Sequence, residues 1–250
     1  MANHILPRLH RFAAARFSPE GEYGLHLTAG VAMLLLATAV FARMAGAVVA
    51  GAPITRLDVE VANWLHAHAR AGGLLGDVLL LLTHLHSTPG ILILALLAAI
   101  WLYRNGHRYW TLALIASVPG GQVLNVILKH TFERARPHFA EPILELTTYS
   151  FPSGHTMGAT VLYGCLACYA ARHARGWAGR VLPFVLAFAM VATVAFSRMY
   201  LGVHYLSDVL AAFAEGCGWL AICVTGAATL DRRNRARARC EGRPGAPQDI

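Results

Sequence analysis

Three short stretches combine cations, histidines and small residues: Lys129–Pro137 (KHTFERARP), Tyr149–Ala159 (YSFPSGHTMGA) and Ser197–Asp208 (SRMYLGVHYLSD). In the first, Lys129 and Arg136 are seven residues apart, two helical turns, so on a helix they share a face and can hold one multiply charged anion between them. Pro137 limits how far such a helix continues. In the second, Pro152-Ser153-Gly154 precedes an apolar run. A helix starting there offers free backbone N–H groups, a hydroxyl, and a glycine that lets an anion come close. His155 then lies in the first turn, where it can give a proton to a leaving group. In the third, His204 and Asp208 are four residues apart. On a helix the carboxylate accepts from one imidazole nitrogen and leaves the other free as nucleophile or base. Arg198 adds a third cation suited to bidentate anion binding.

Each stretch alone has a plainer reading. Lys129–Pro137 can be a basic membrane-edge segment, and Ser153 an ordinary helix N-cap. Together they supply Lys129, Arg136, Arg198, Ser153, the amides around Gly154, two histidines and one carboxylate. That set meets the needs of phosphoryl transfer through a phosphohistidine: donors for a pentacoordinate phosphorus, a nucleophile held in one tautomer, and an acid for the leaving group. Spacing leaves His155 and His204 interchangeable in principle; the Asp208 partner favours His204 as nucleophile. Glu133, Glu141, Glu145 and Asp208 are dispersed among basic groups, so no carboxylate pair presents itself for a metal, and the expected reaction is metal-independent and needs no cofactor. The HxH pairs His66/His68 and His84/His86 lack acidic or Cys companions, and Cys165/Cys168, one turn apart in an apolar run, lack a second CxxC. All read as packing or surface residues.

The elements that must position these groups are set by composition. The 250 residues are 56% hydrophobic and 14% charged, with mean hydropathy +0.50, which excludes an ordinary soluble domain and points to a helical membrane bundle. Six apolar runs stand out, at about 25–50, 87–103, 109–129, 153–171, 181–197 and 204–230. Leu74–Leu85 is apolar but too short to span. Leu57, Val61 and Trp64 recur at helical spacing and mark an interfacial amphipathic helix before it. Within the runs, Gln122 and Asn125 read as bonding to neighbouring helices, and Glu215 as a packing residue on the Asp208 face.

The net charge of +8 has a topological explanation and needs no nucleic acid. With a cytoplasmic N-terminus, Arg8, Arg11, Arg16, Arg104, Arg108, Arg172, Arg175, Arg180 and the tail DRRNRARARCEGR all fall on the inner side. The organisation expected is a cytoplasmic segment at 1–24, a membrane domain at 25–230 and a basic cytoplasmic tail at 231–250, disordered or lipid-facing, with all three chemical clusters outside. The first apolar run is long enough to remain as an anchor.

Lys129 with Arg136-Pro137, Pro152-Ser153-Gly154-His155, and Ser197-Arg198 with His204 and Asp208 stand in the order and spacing of the three motifs of the type 2 phosphatidic acid phosphatase family, which the chain resembles over about 57–230. The resemblance implies an all-α polytopic membrane fold and dephosphorylation of lipid phosphates. It also implies His204 as nucleophile, Asp208 as its orienting partner, His155 as general acid, and Lys129, Arg136, Ser153, Gly154 and Arg198 as phosphate ligands. Soluble vanadium haloperoxidases share this anion site, but the apolar spans favour a lipid. An outward-facing site in a bacterial-type plasma membrane suits undecaprenyl pyrophosphate, phosphatidate or phosphatidylglycerophosphate. A phosphotransferase acting between outer-leaflet lipids is the alternative. The lipid and the bilayer are the expected partners, with no obligate protein partner.

Overall fold

The computed structural model describes Arg16, Ser18 and residues 24–69 and 73–240. Its regular structure is helical: α1 Leu25–Val49, α2 Pro53–His68, α3 Leu74–Leu85, α4 Thr88–Arg104, α5 Arg108–Phe132, α6 Gly154–His173, α7 Gly176–Tyr200 and α8 Leu206–Cys240. The expected all-α membrane bundle forms. By length and composition α1, α5, α7 and α8 can each cross a bilayer, and α3 with α4 pass the same test only as a pair bent by 64°, a broken span or a re-entrant loop, so four or five spans replace the six apolar runs. The run at 87–103 thus pairs with Leu74–Leu85, which the sequence reading set aside as too short. The break has a local cause. Ser87 Oγ accepts from Gly90 N–H and Pro89 sits in the first turn of α4, so a new helix starts there.

The fourth apolar run became α6, which is enclosed by protein. Thr156 to Leu162 are buried without interruption, and two consecutive turns buried on all sides leave no lipid-facing stripe. Gly, Ala, Thr and Cys therefore suffice where a lipid-exposed helix needs Leu and Phe. Helices α5, α7 and α8 close around α6, and α1 lies along α8. The approach of α6 to α8 depends on Gly216, where an added Cβ would lie 2.7 Å from Thr160 Cβ. Large apolar side chains such as Leu35, Leu36, Leu96 and Phe188 point outward, as expected where lipid is the solvent.

Helix α2 turns opposite to its apolar stripe. Leu57 and Trp64 are exposed, whereas Asp58, Ala62 and Leu65 face inward. The stripe is thus available to surrounding lipid, and a carboxylate points into the protein. At the other end, α8 runs 35 residues, about 52 Å at 1.5 Å per residue, against about 30 Å of hydrocarbon. Its last turns hold the first part of the basic tail, so 231–240 are helical where the sequence suggested disorder. An Asp231–Arg235 ion pair at 2.8 Å and an Asn234–Tyr109 hydrogen bond at 2.8 Å tie that end down. Residues 1–15, the bulk of the expected N-terminal segment, and 241–250 lie outside the described residues.

Candidate active site

Four helix ends meet at one end of the bundle. Helix α5 stops at Phe132 because Glu133 takes a left-handed conformation, φ 45°, and the chain leaves extended with Arg134 and Arg136. The loop is tied back by Ser150 N–H donating to Arg134 O at 2.8 Å. Helix α6 begins at Gly154, with Ser153 buried at its cap. The Ser153 hydroxyl makes no capping hydrogen bond, so the plainer reading of Ser153 as a side-chain N-cap does not hold. Asp208 O accepts from Ser153 N–H at 3.2 Å, joining the starts of α6 and α8. A Cβ at 154 would meet Asn125 Oδ1 at 3.0 Å, which favours glycine there.

His204 precedes α8 and is 2% exposed. Its Nδ1 faces Asp208 Oδ2 at 3.3 Å, and its Nε2 lies 3.2 Å from Arg136 Nη1. Burial, then Arg136, Lys129 and Arg198, push the imidazole well below its usual value, so it stays uncharged at neutral pH with a lone pair free of a proton. Arg136 is held by Val203 O at 2.6 Å and by Thr148 O at 2.6 Å. Lys129 Nζ donates to Tyr149 O at 2.7 Å. Arg198 is 1% exposed. Its Nη1 bonds to Thr83 Oγ1 of α3, while Nε and Nη2 have no protein partner. His155 occupies the first turn of α6, within electrostatic reach of His204, Arg198 and Lys129. The residues read from the three stretches therefore assemble in one place, a concentration of buried cationic donors around His204 of the kind that binds an anion.

Among the described residues no group of three or more His, Cys, Asp or Glu is arranged to hold a metal ion. Of the HxH histidines, His86 bonds to Tyr163 at 2.7 Å, His66 stacks on Phe139 and His68 stacks on Trp64. Cys165 packs in the main core. Asn125 does bond across helices, donating to Glu215 Oε2 at 2.9 Å. Glu215 thus has a partner that its own sequence neighbourhood did not show.

The family model of the PAP2 superfamily matches residues 110–232, which contain every one of these segments. Phosphatidylglycerophosphatase B of Bacillus subtilis is 34% identical over 146 residues, 57% of this chain and 70% of that protein. The chain belongs to the PAP2 superfamily. Decaprenylphosphoryl-5-phosphoribose phosphatase of Mycobacterium tuberculosis is 34% identical over 130 residues, 51% of this chain and 66% of that protein. Among solved structures, a transmembrane PAP2-type phosphatidylglycerolphosphate phosphatase from Bacillus subtilis aligns with TM-score 0.67 and 27% identity over 82% of this chain and 96% of its own. Aquifex aeolicus LpxE aligns with TM-score 0.50 and 26% identity, covering 66% and 94%. This PAP2 protein is a multi-span membrane phosphatase.

The cluster also contains residues that the sequence reading passed over. Arg134 Nη1 donates to Asp208 Oδ1 at 2.6 Å, and its Nη2 to Asp58 Oδ2 at 2.8 Å. Ser150 Oγ donates to Asp208 Oδ2, which also accepts from Tyr205 N–H at 2.9 Å. Arg134 lies in the first motif two residues before Arg136, and alternation in an extended segment would put the two guanidinium groups on the same side, yet Arg134 turns to Asp58 and Asp208 and Arg136 to Val203 O and His204. Nothing in sequence linked Asp58, 76 residues away from Arg134, to this cluster.

Proposed function

We propose that this PAP2 phosphatase hydrolyses a lipid phosphate at the outer membrane face by two displacements through a phosphohistidine on His204. Asp208 holds the Nδ1–H of neutral His204, so the Nε2 lone pair attacks phosphorus as the bond to the leaving oxygen breaks. His155 gives its proton to that oxygen. In the second step His155, now a base, takes a proton from the water that attacks the phosphohistidine, inorganic phosphate leaves, and Nε2 recovers its lone pair. Lys129, Arg136, Arg198, Ser153 and the Gly154 amide stabilise the three equatorial oxygens. The observation that carries this reading is Arg198: a buried guanidinium with two donors lacking any protein partner is costly unless an anion arrives.

The named relatives act on lipid-linked phosphates, which supports a lipid substrate. Phosphatidylglycerophosphate has the most support, since it appears among both the sequence and the structural relatives. The test is phosphate release by purified protein in detergent containing EDTA, from phosphatidylglycerophosphate, phosphatidate and undecaprenyl pyrophosphate, alongside His204→Ala. Release from at least one lipid, fastest from phosphatidylglycerophosphate, with loss of release and of acid-labile phosphate incorporation in His204→Ala, is expected. No release from any lipid would sink the hydrolase. Label moving to an acceptor lipid instead would make the protein a phosphotransferase.

A further inference from the structure

Asp58 is fully buried on the inward face of α2, outside the three motif segments. Its carboxylate accepts from Ser207 N–H at 2.8 Å, from Ser207 Oγ–H at 2.5 Å and from Arg134 Nη2 at 2.8 Å. The first of these bonds caps the first turn of α8 from a neighbouring helix, one residue before Asp208. Arg134 Nη1 reaches Ser207 Oγ at 2.7 Å and Asp208 Oδ1 at 2.6 Å. Its guanidinium lies 4.3 Å from the Tyr205 ring centroid. One planar cation therefore bridges two buried carboxylates, stacked on an aromatic ring. Burial opposes the Arg134 charge, but Asp208 and Asp58 outweigh it and hold the group above its ordinary value.

We propose that Asp58 and Arg134 are positioning residues for the His204–Asp208 pair, so that α2, the helix whose apolar stripe faces the membrane, fixes the nucleophile in its reactive orientation. This inference rests on the assignment of His204 as nucleophile. The terminal nitrogens of Arg134 are committed to Asp58, Asp208 and Ser207, so the residue acts through Asp208. Arg134 holds Oδ1, which leaves Oδ2 for His204 Nδ1–H, Ser150 and the Tyr205 amide. Asp58 supplies the second negative charge. Without it, Asp208 alone would neutralise Arg134 and become a weaker acceptor for the imidazole. A lysine at 134 keeps the charge but, as a point donor, loses the two-pronged bridge.

The experiment compares wild type, Arg134→Lys, Asp58→Asn, the double variant and His204→Ala. Each is purified in detergent, checked for a monodisperse folded peak, and assayed for phosphate release across pH. Arg134→Lys is expected to lower kcat by about tenfold or more with KM within about threefold, because misorientation costs rate while the phosphate ligands are untouched. Asp58→Asn lowers kcat likewise, and the double variant loses little beyond either single one. In Arg134→Lys the acid limb of kcat/KM moves to higher pH. A carboxylate freed from its guanidinium stabilises the imidazolium more strongly, while the other groups facing His204 (Lys129, Arg136, Arg198 and His155) are unchanged. A lower active fraction would scale the profile without moving the limb. Single variants with wild-type kcat and an unmoved limb overturn the inference, as do variants that fail to fold, which would make the bridge structural only. Full activity in His204→Ala would instead overturn the underlying assignment.

Discussion

Arg198 is the largest fully buried side chain among the described residues and has two nitrogens without a protein partner, and this decides what its loss should do. A buried cation is weak support for a fold, and removing one often leaves stability unchanged. Arg198→Met, which frees only the Thr83 hydroxyl, is expected to melt within about 1–2 kcal/mol of wild type while losing phosphate release and the rise in melting temperature expected of wild type in millimolar inorganic phosphate. A retained phosphate response in calorimetry would remove Arg198 from the anion site. His204 gives a signed pH effect. Its imidazole is neutral when folded, held well below the usual value by burial and the cations around it. As pH falls below about 6.5 the unfolded chain takes up a proton there and the native state does not, so stability is full above that pH and drops below it, by up to about 1.4 kcal/mol per pH unit for this group. Melting curves from about pH 5 to 7.5 should therefore fall less steeply on the acid side in His204→Gln than in wild type. The residues proposed to hold the phosphate were legible because chemistry dictates their types. Asp58 and Ser207 were not, since their role follows from a contact between elements distant in sequence.

The helices were legible where lipid acts as solvent and less so where protein does. Long apolar runs gave α1 and α5 with ends close to those observed, and α7 and α8 with helix continuing past the run, by ten residues at the end of α8. The Ser87-Thr88-Pro89 start of α4 marked a restart between two pieces bent by 64°, a break hydropathy cannot show because both pieces are apolar. Enclosure of α6 is likewise invisible to composition, since Gly and Ala serve packing against helices as well as they serve irregular structure. Gly216 tests that enclosure. At this position a side chain would push α8 off Thr160 and the Met157 carbonyl, separating the end carrying Ser153 and His155 from the end carrying His204 and Asp208. Gly216→Val is expected to cost about 1–3 kcal/mol and most of kcat. Gly226→Val, at a glycine on the same helix with nothing within 4 Å, should leave both near wild type. Equal behaviour of the two in melting and turnover would mean that close approach of α6 to α8 does not set the site.

At the scale of the whole molecule, helix direction and charge carry the same message. The site occupies the end where α5 and α7 finish and α6 and α8 begin. Arg104 and Arg108 at the α4–α5 turn, Arg172 and Arg175 at the α6–α7 turn, and the arginines after Asp231 lie at the other end. Basic residues so placed resist translocation, which supports the proposal of a cytoplasmic basic end and an outward-facing site. The same distribution accounts for a charge of +8 without any acidic macromolecule. This orientation can be tested in a chain whose five cysteines are replaced by alanine. Glu141→Cys, in the loop beside Arg136, is expected to react with a membrane-impermeant maleimide in intact cells. Asn105→Cys, at the α4–α5 turn, should react only after permeabilisation. The reverse pattern would place the site in the cytoplasm, where it would meet inner-leaflet lipid phosphates, and would overturn the outward-facing reading while leaving the phosphohistidine chemistry untouched.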